Sequence, residues 1–173
     1  MKRPQTGFTM IELIVVIIIL GILAAVALPR FTNMQRDARI AKLNAVRGSV
    51  ASAMAMVNGA AIARQAQVQP ACGTFGTPNV NAAGNGTICT PEGLIQVRLL
   101  YPQAANAGIV AAAGLPTTAA ALAADQYQTA AVAGALQIRV LGGTSGPNCS
   151  FTYTPPTALG LAPTLSANVT TGC

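Results

Sequence analysis

The sequence predicts an α+β protein in which one long N-terminal helix packs on an antiparallel sheet of about four strands. Three observations indicate this fold class. Residues 8–63 have the composition of one continuous helix, the chain beyond residue 91 contains short runs that alternate apolar and polar side chains, and all four cysteines lie beyond residue 70. We therefore expect a helical arm followed by a small body whose C-terminal region is closed by a disulfide.

The first half of the predicted helix has the length and composition of a membrane span. From Phe8 to Leu28 the only charged residue is Glu12, and a helix of this length spans about 32 Å, which matches the hydrocarbon core of a bilayer. Residues 25–27 also resemble the small-residue cleavage site of a secretory signal peptide, so removal of this segment is the alternative. The helix-forming sequence that continues to residue 63 favours a retained segment.

The second half of the helix, residues 29–63, is amphipathic. Its apolar residues recur at a spacing of three or four, at Leu43, Val46, Val50, Met54 and Val57. Such a spacing forms one stripe along a helix, and this stripe should face the body. Pro29 removes a backbone donor and, together with Gly21, marks a stretch that should bend or lose helicity easily.

The body, residues 64–173, contains four segments with a strand-like alternation. They are Ile95–Leu99, Leu136–Val140, Cys149–Tyr153 and Leu165–Val169. Each is bounded by Gly or Pro, and together they predict up to four strands with one face against the second half of the helix. Between them, Pro102–Gly114 and Thr117–Ala124 predict two short Ala-rich helices.

The cysteines Cys72, Cys89, Cys149 and Cys173 favour disulfides in an oxidising compartment. Their number is even, they are widely spaced, and neither a C-x-x-C pair nor a His ligand accompanies them, which argues against zinc and against a redox dithiol. Three connectivities are open. Because short loops close most readily, the order favours the pairs Cys72–Cys89 and Cys149–Cys173.

The scarcity of titratable side chains excludes most classes of enzyme. The chain has no His and only four acidic side chains, so the usual general bases, triads and carboxylate-rich metal sites cannot be assembled. We expect no catalytic site, no metal site and no cofactor. Eight of the ten basic residues lie in the first 64 positions. Their run on the helix favours a solvated face or a contact face between subunits, with DNA or anionic lipid as the alternative partner.

Glu12 lies inside the apolar segment, where a carboxylate costs about 2.5–3.5 kcal/mol on insertion scales. An ionisable residue in a membrane span is a functional hypothesis by default. The alternative is that Glu12 stays hydrated near the interface and is stabilised by the N-terminus of the helix.

The N-terminal motif carries a resemblance to a known family. The run Gly7-Phe8-Thr9-Met10-Ile11-Glu12, after a short basic leader and before a long apolar stretch, resembles the N-terminus of type IV pilins and of type II secretion pseudopilins. Met10 stands where this family most often has Leu. The order of elements is similar to the type IVa pilin fold, and residues 29–44 with the strand before the last cysteine most resemble the mannose-sensitive haemagglutinin type of pilin.

This resemblance implies processing, assembly and a sequence of locations. A prepilin peptidase would remove the leader, residues 1–7, by cutting between Gly7 and Phe8, and would methylate the new amine of Phe8. The chain would cross the inner membrane once, in contact with lipid and with the pilus assembly machinery, before entering a surface filament of identical subunits. There Glu12 would face the amine of Phe8 on a neighbour, and the stretch from Gly21 to Pro29 would lose helicity.

We therefore expect a structural subunit of a type IV pilus that serves adhesion, twitching motility or DNA uptake. The predicted parts are the leader 1–7, the filament-core segment 8–28, the amphipathic segment 29–63 and the head 64–173. One alternative is the major pseudopilin of a type II secretion system, a class that typically binds calcium through acidic residues near its C-terminus. The sequence has no acidic residue after Asp125. The other alternative is a membrane-anchored periplasmic binding domain that never polymerises.

Overall fold

The computed structural model describes residues 7–143 and 148–173, except for the side chains of residues 29–33. The predicted leader therefore lies, apart from Gly7, outside the described residues. The described residues form two compact units, which divide between residues 38 and 39.

The long N-terminal helix, α1, runs from Met10 to Arg64, which confirms the predicted arm. Its backbone is helical through both Gly21 and Pro29. In the second unit α1 buries one stripe of side chains, formed by Leu43, Val46, Val50, Ala53, Val57 and Ala61. Met54, which the spacing placed on the stripe, is half-buried at its edge.

Two four-stranded antiparallel sheets make up most of the second unit, where the sequence predicted one. The first sheet contains β1 (Asn79–Val80), β2 (Gly86–Thr90), β3 (Gly93–Arg98) and β4 (Tyr101–Pro102). The second contains β5 (Tyr127–Val132), β6 (Ala135–Val140), β7 (Ser150–Thr154) and β8 (Thr164–Leu165). In each sheet the strands lie in chain order, so every connection is a local hairpin-type link.

Two helical segments connect the sheets, and one of them differs from the prediction. The helix α2 spans Ala119–Ala124, close to the predicted range, and begins where Thr118 accepts a hydrogen bond from the Ala121 N–H at 3.3 Å. The segment predicted as a helix from Pro102 instead begins in strand β4 and turns helical only at Asn106–Val110. Pro102 lies on an edge strand, where its missing N–H breaks no ladder bond within the sheet.

The two sheets pack against successive parts of the buried stripe. Ile138, Phe151 and Tyr153 of the second sheet form one apolar cluster with the stripe from Leu43 to Ala53. Val80, Ile88, Ile95 and Val97 of the first sheet form another with Val57 and Ala61. The α+β class predicted from the sequence is confirmed.

A buried tyrosine links the two sheets. The Tyr153 hydroxyl donates to the Pro102 carbonyl at 2.6 Å, and its ring is fully buried. Burial raises the pKa of Tyr153 above its usual range, and the neighbouring Tyr101 raises it further. The hydroxyl therefore stays protonated as a donor at neutral pH.

Both local cysteine pairs favoured by loop length are present. Cys72 is bonded to Cys89, with Cα atoms 5.5 Å apart, and Cys149 is bonded to Cys173, with Cα atoms 4.8 Å apart. Cys149 and Cys173 are buried in the cluster beneath the second sheet, which closes the C-terminal region as predicted.

Candidate assembly site

Thr9 and Glu12 form a reciprocal cap at the start of α1. The Glu12 carboxylate oxygen Oε2 accepts from the Thr9 N–H at 3.1 Å and from the Thr9 hydroxyl at 2.9 Å. In return, the Thr9 hydroxyl oxygen accepts from the Glu12 N–H at 3.3 Å. This is the capping-box arrangement, in which two N–H groups without a helical partner are satisfied by each other's side chains. It explains why the helix begins directly after Thr9.

Sequence reasoning identified Glu12 from its charge but did not identify Thr9. The signal was present, because a Thr three residues before a Glu and next to an apolar run is the sequence signature of this cap. The cap fixes the position of Glu12 on the first turn.

The surroundings of Glu12 are apolar and exposed. Phe8, Met10 and Ile11 expose between 74% and 84% of their surface, and in the part of the chain that the structure describes no cation forms an ion pair with Glu12. A carboxylate that is removed from water requires a positive partner, so a contact that covers this apolar surface would have to bring a cation to Glu12.

From Met10 to Leu28, α1 presents an apolar surface on all sides. The segment Met10–Leu28 has a mean hydropathy of 3.1, is long enough to cross a membrane and is not buried by the other residues that the structure describes. Its large apolar side chains expose about half or more of their surface. A helix that is apolar on all sides requires lipid or protein around it.

The basic residues of α1 in the second unit contact the head, a partner that the sequence did not indicate. Four of them donate to main-chain oxygens, as follows: Arg39 Nε to Cys173 at 2.6 Å, Lys42 Nζ to Asp125 at 2.5 Å, Arg47 Nε to Ser166 at 3.1 Å and Arg64 Nη1 to Cys89 at 2.8 Å. Lys42 Nζ also lies 4.4 Å from the centre of the Tyr127 ring. These hydrogen bonds hold the loops of the head against α1.

The remaining predicted sites are the cleavage site and, as an expected absence, a metal site. Gly7 and Phe8 directly precede the cap, and Phe8 is 84% exposed. Residues 7–143 and 148–173 contain no group of three or more His, Cys, Asp or Glu side chains that could hold a metal ion.

Comparison with known proteins identifies the N-terminal segment. Residues 2–28 match the family described as "Prokaryotic N-terminal methylation motif". The chain is 38% identical over 82 residues to the type IV narrow pilus major component PilA5 of Thermus thermophilus. It is 39% identical over 54 residues to the type IV major fimbrial protein FimA of Dichelobacter nodosus. This chain belongs to the type IV pilin family.

Similarity extends to a secretion-system relative and is concentrated in part of each chain. Over 55 residues this pilin is 38% identical to the type II secretion system core protein G of Pseudomonas aeruginosa. The alignment with PilA5 covers 47% of this pilin and 66% of PilA5. The alignment with FimA covers 31% of this pilin and 35% of FimA, and that with core protein G covers 32% of this pilin and 39% of core protein G. No solved structure matches the chain significantly. The matched motif contains the capped carboxylate and the apolar segment of this pilin, and it ends before the head.

Proposed function

We propose that this pilin is a structural subunit that polymerises through Phe8–Leu28 into a type IV pilus on the cell surface. One observation carries the proposal: an apolar helix that no described residue buries begins at a single carboxylate, which is hydrogen-bonded to Thr9. Copies of the same segment would cover each other in a filament, and lipid would cover them before assembly. The relatives named as pilus components support this role over an enzymatic one.

Processing would create the positive partner that Glu12 requires. A prepilin peptidase that cuts between Gly7 and Phe8 and methylates the new amine would leave a cation one residue before the cap. In the filament this amine would face Glu12 of a neighbouring subunit. An ion pair is strengthened in apolar surroundings, and a wrong register would leave two unpaired charges, so this contact would select the register of assembly.

The proposed path has two stages. The chain first crosses the inner membrane once, anchored by residues 8–28, and the pilus assembly machinery then extracts it into the filament. The stretch from Gly21 to Pro29 would lose helicity during this transfer, because a proline within a helix removes one hydrogen bond. Adhesion, twitching motility and DNA uptake are the proposed uses of the filament.

A type II secretion pseudopilin is the second candidate, and the similarity to core protein G favours it. Two features of this chain favour the pilus. Its head is stabilised by two disulfides, and it lacks acidic residues after Asp125, where pseudopilins would hold calcium.

Mass spectrometry of intact chains from filaments sheared off expressing cells tests the proposal. We expect a chain that starts at methylated Phe8 and that gains about four hydrogens on reduction, because each disulfide takes up two. A chain absent from the sheared material, or one whose N-terminus lies beyond Ala27, would contradict assembly into a surface filament. The first result would favour a pseudopilin, and the second a secreted domain.

A further inference from the structure

An open apolar groove lies on one flank of α1 in the second unit. Its volume is about 440 Å³, and its lining includes Met56, Ala60, Pro91 and Ala113. Met56 exposes 66% of its surface. Glu92 lies at the same groove and forms no ion pair or hydrogen bond with its side chain in the described part of the chain. The groove thus combines an apolar floor with one negative charge.

An exposed apolar loop lies elsewhere in the same unit. Residues 155–163 connect β7 to β8, and Leu159 and Leu161 in this loop each expose 53% of their surface. Gly160 between them has a φ of 87°, which a side chain would disfavour. Prolines at positions 155, 156 and 163 flank the pair and restrict the loop, so ordering it in a contact costs less entropy.

The groove and the loop lie on opposite flanks of α1. Each residue turns about 100° around a helix axis. Met56, in the groove, directly precedes the buried Val57, whereas Arg47 directly follows the buried Val46. Arg47 Nε donates to the carbonyl of Ser166, the residue that follows β8. The end of the loop is therefore next to the flank that faces away from the groove.

We propose that the loop of one subunit inserts Leu159 and Leu161 into the groove of a second copy of this chain. The two surfaces are complementary in chemistry: apolar side chains meet an apolar floor, and Arg47 on the loop's flank supplies a positive charge for Glu92 at the groove. This inference rests on the proposed function, since it requires subunits that assemble side by side.

A contact of this kind has a consequence for assembly. Because the two surfaces are different and lie on opposite flanks, each copy uses both of them, and the contact is heterologous. A heterologous contact whose rotation does not close continues as an open helical filament. The head then reinforces the polymer that the apolar segment of α1 builds.

Cysteine cross-linking in filaments tests this contact. All four native cysteines are in disulfides, so thiols introduced by Met56→Cys and Leu159→Cys are the only free ones. We expect mild oxidation of sheared double-variant filaments to shift most of the chain into a ladder of covalent multimers. The matched control combines Leu159→Cys with Ile62→Cys, because Ile62 is 56% exposed, follows the buried Ala61 and lies on the other flank. The control should stay monomeric.

The outcomes separate the contact from the proposed function. The contact is wrong if oxidised filaments of the double variant yield only monomeric chains, or if the control yields an equal ladder of multimers. Either result leaves the pilus role intact. If the double variant does not assemble, the two single variants are expressed as minor fractions beside the wild-type chain, which then carries assembly. A disulfide-linked peptide joining positions 56 and 159 supports the contact, and its absence from filaments containing both variants overturns it. Failure of the wild-type chain to form filaments would overturn the proposed function itself.

Discussion

Glu12 has two roles that differ in physical origin. Its hydrogen bonds with Thr9 satisfy N–H groups at the first turn of α1 and so stabilise the start of the helix. Its negative charge would match the amine created by processing. The sequence predicted the second role from a lone charge in an apolar run, whereas the first required the Thr9 side chain to be considered as a partner.

Substitution of Glu12 separates these roles. Glu12→Ala removes the cap and the charge, whereas Glu12→Gln removes the charge and keeps an oxygen that can accept from Thr9. We expect both variants to accumulate in the membrane and both to lose filaments by more than about a hundredfold, since breaking a buried ion pair costs about 3–5 kcal/mol. Quantitation of sheared and membrane-bound chain measures this. Normal filament yield from Glu12→Gln would mean that the cap, and not the charge, is required.

At the scale of elements, the sequence revealed those strands whose inward side chains are large. β3, β6 and β7 alternate with Ile, Leu, Val, Phe or Tyr at the buried positions, and each was predicted within two residues of its bounds. β5 was missed, although it pairs with all six residues of β6, because Tyr127 is its one buried residue and the small Thr129 and Ala130 are only half-buried. β1 and β4 have two residues each, too few to show a period of two. Of the first sheet only β3 was predicted, so the sequence did not show that the strands form two sheets.

The sequence could not predict what the Lys and Arg side chains of α1 contact, because their acceptors are main-chain oxygens. A carbonyl oxygen carries no residue-type signal, and Arg47 and Ser166 are 119 positions apart. A run of Lys and Arg with few acidic partners looks solvated in sequence. In the structure these side chains lie along the head and replace the acidic partners with the carbonyls of its loops.

Lys42 tests the contribution of these cations to stability. Lys42→Met keeps the apolar stem but removes both the bond to the Asp125 carbonyl and the contact with the Tyr127 ring. We expect a loss of about 1–2 kcal/mol in the free energy of unfolding, measured by urea unfolding of the full chain in detergent. Arg47→Met, which loses the single bond to Ser166, should cost less. An unchanged midpoint for Lys42→Met would show that this cation contributes no net stability.

At the scale of the whole molecule, the unusual composition follows from the architecture. A chain that is 52% hydrophobic and 8% charged would be insoluble as an isolated globule. Here the first unit exposes an apolar helix for lipid or neighbouring subunits, and the second buries its stripe and two sheets around α1. The composition predicted this division of the chain, and the motif at Gly7–Glu12 predicted the family. The groove and the loop require three-dimensional contacts that neither could supply.

The stability of the head distinguishes the pilus from the pseudopilin at this scale. The disulfides join residues 17 and 24 positions apart, and closing loops of this size in the unfolded chain is worth about 3 kcal/mol each. We expect reduction to lower the thermal midpoint of the full chain in detergent strongly and EDTA to leave it unchanged. The control pair, Cys72→Ser/Cys89→Ser and Cys149→Ser/Cys173→Ser, should divide the loss into two similar parts. A midpoint that falls with EDTA would instead reveal a stabilising metal ion, and the pseudopilin would then be the better account of this chain.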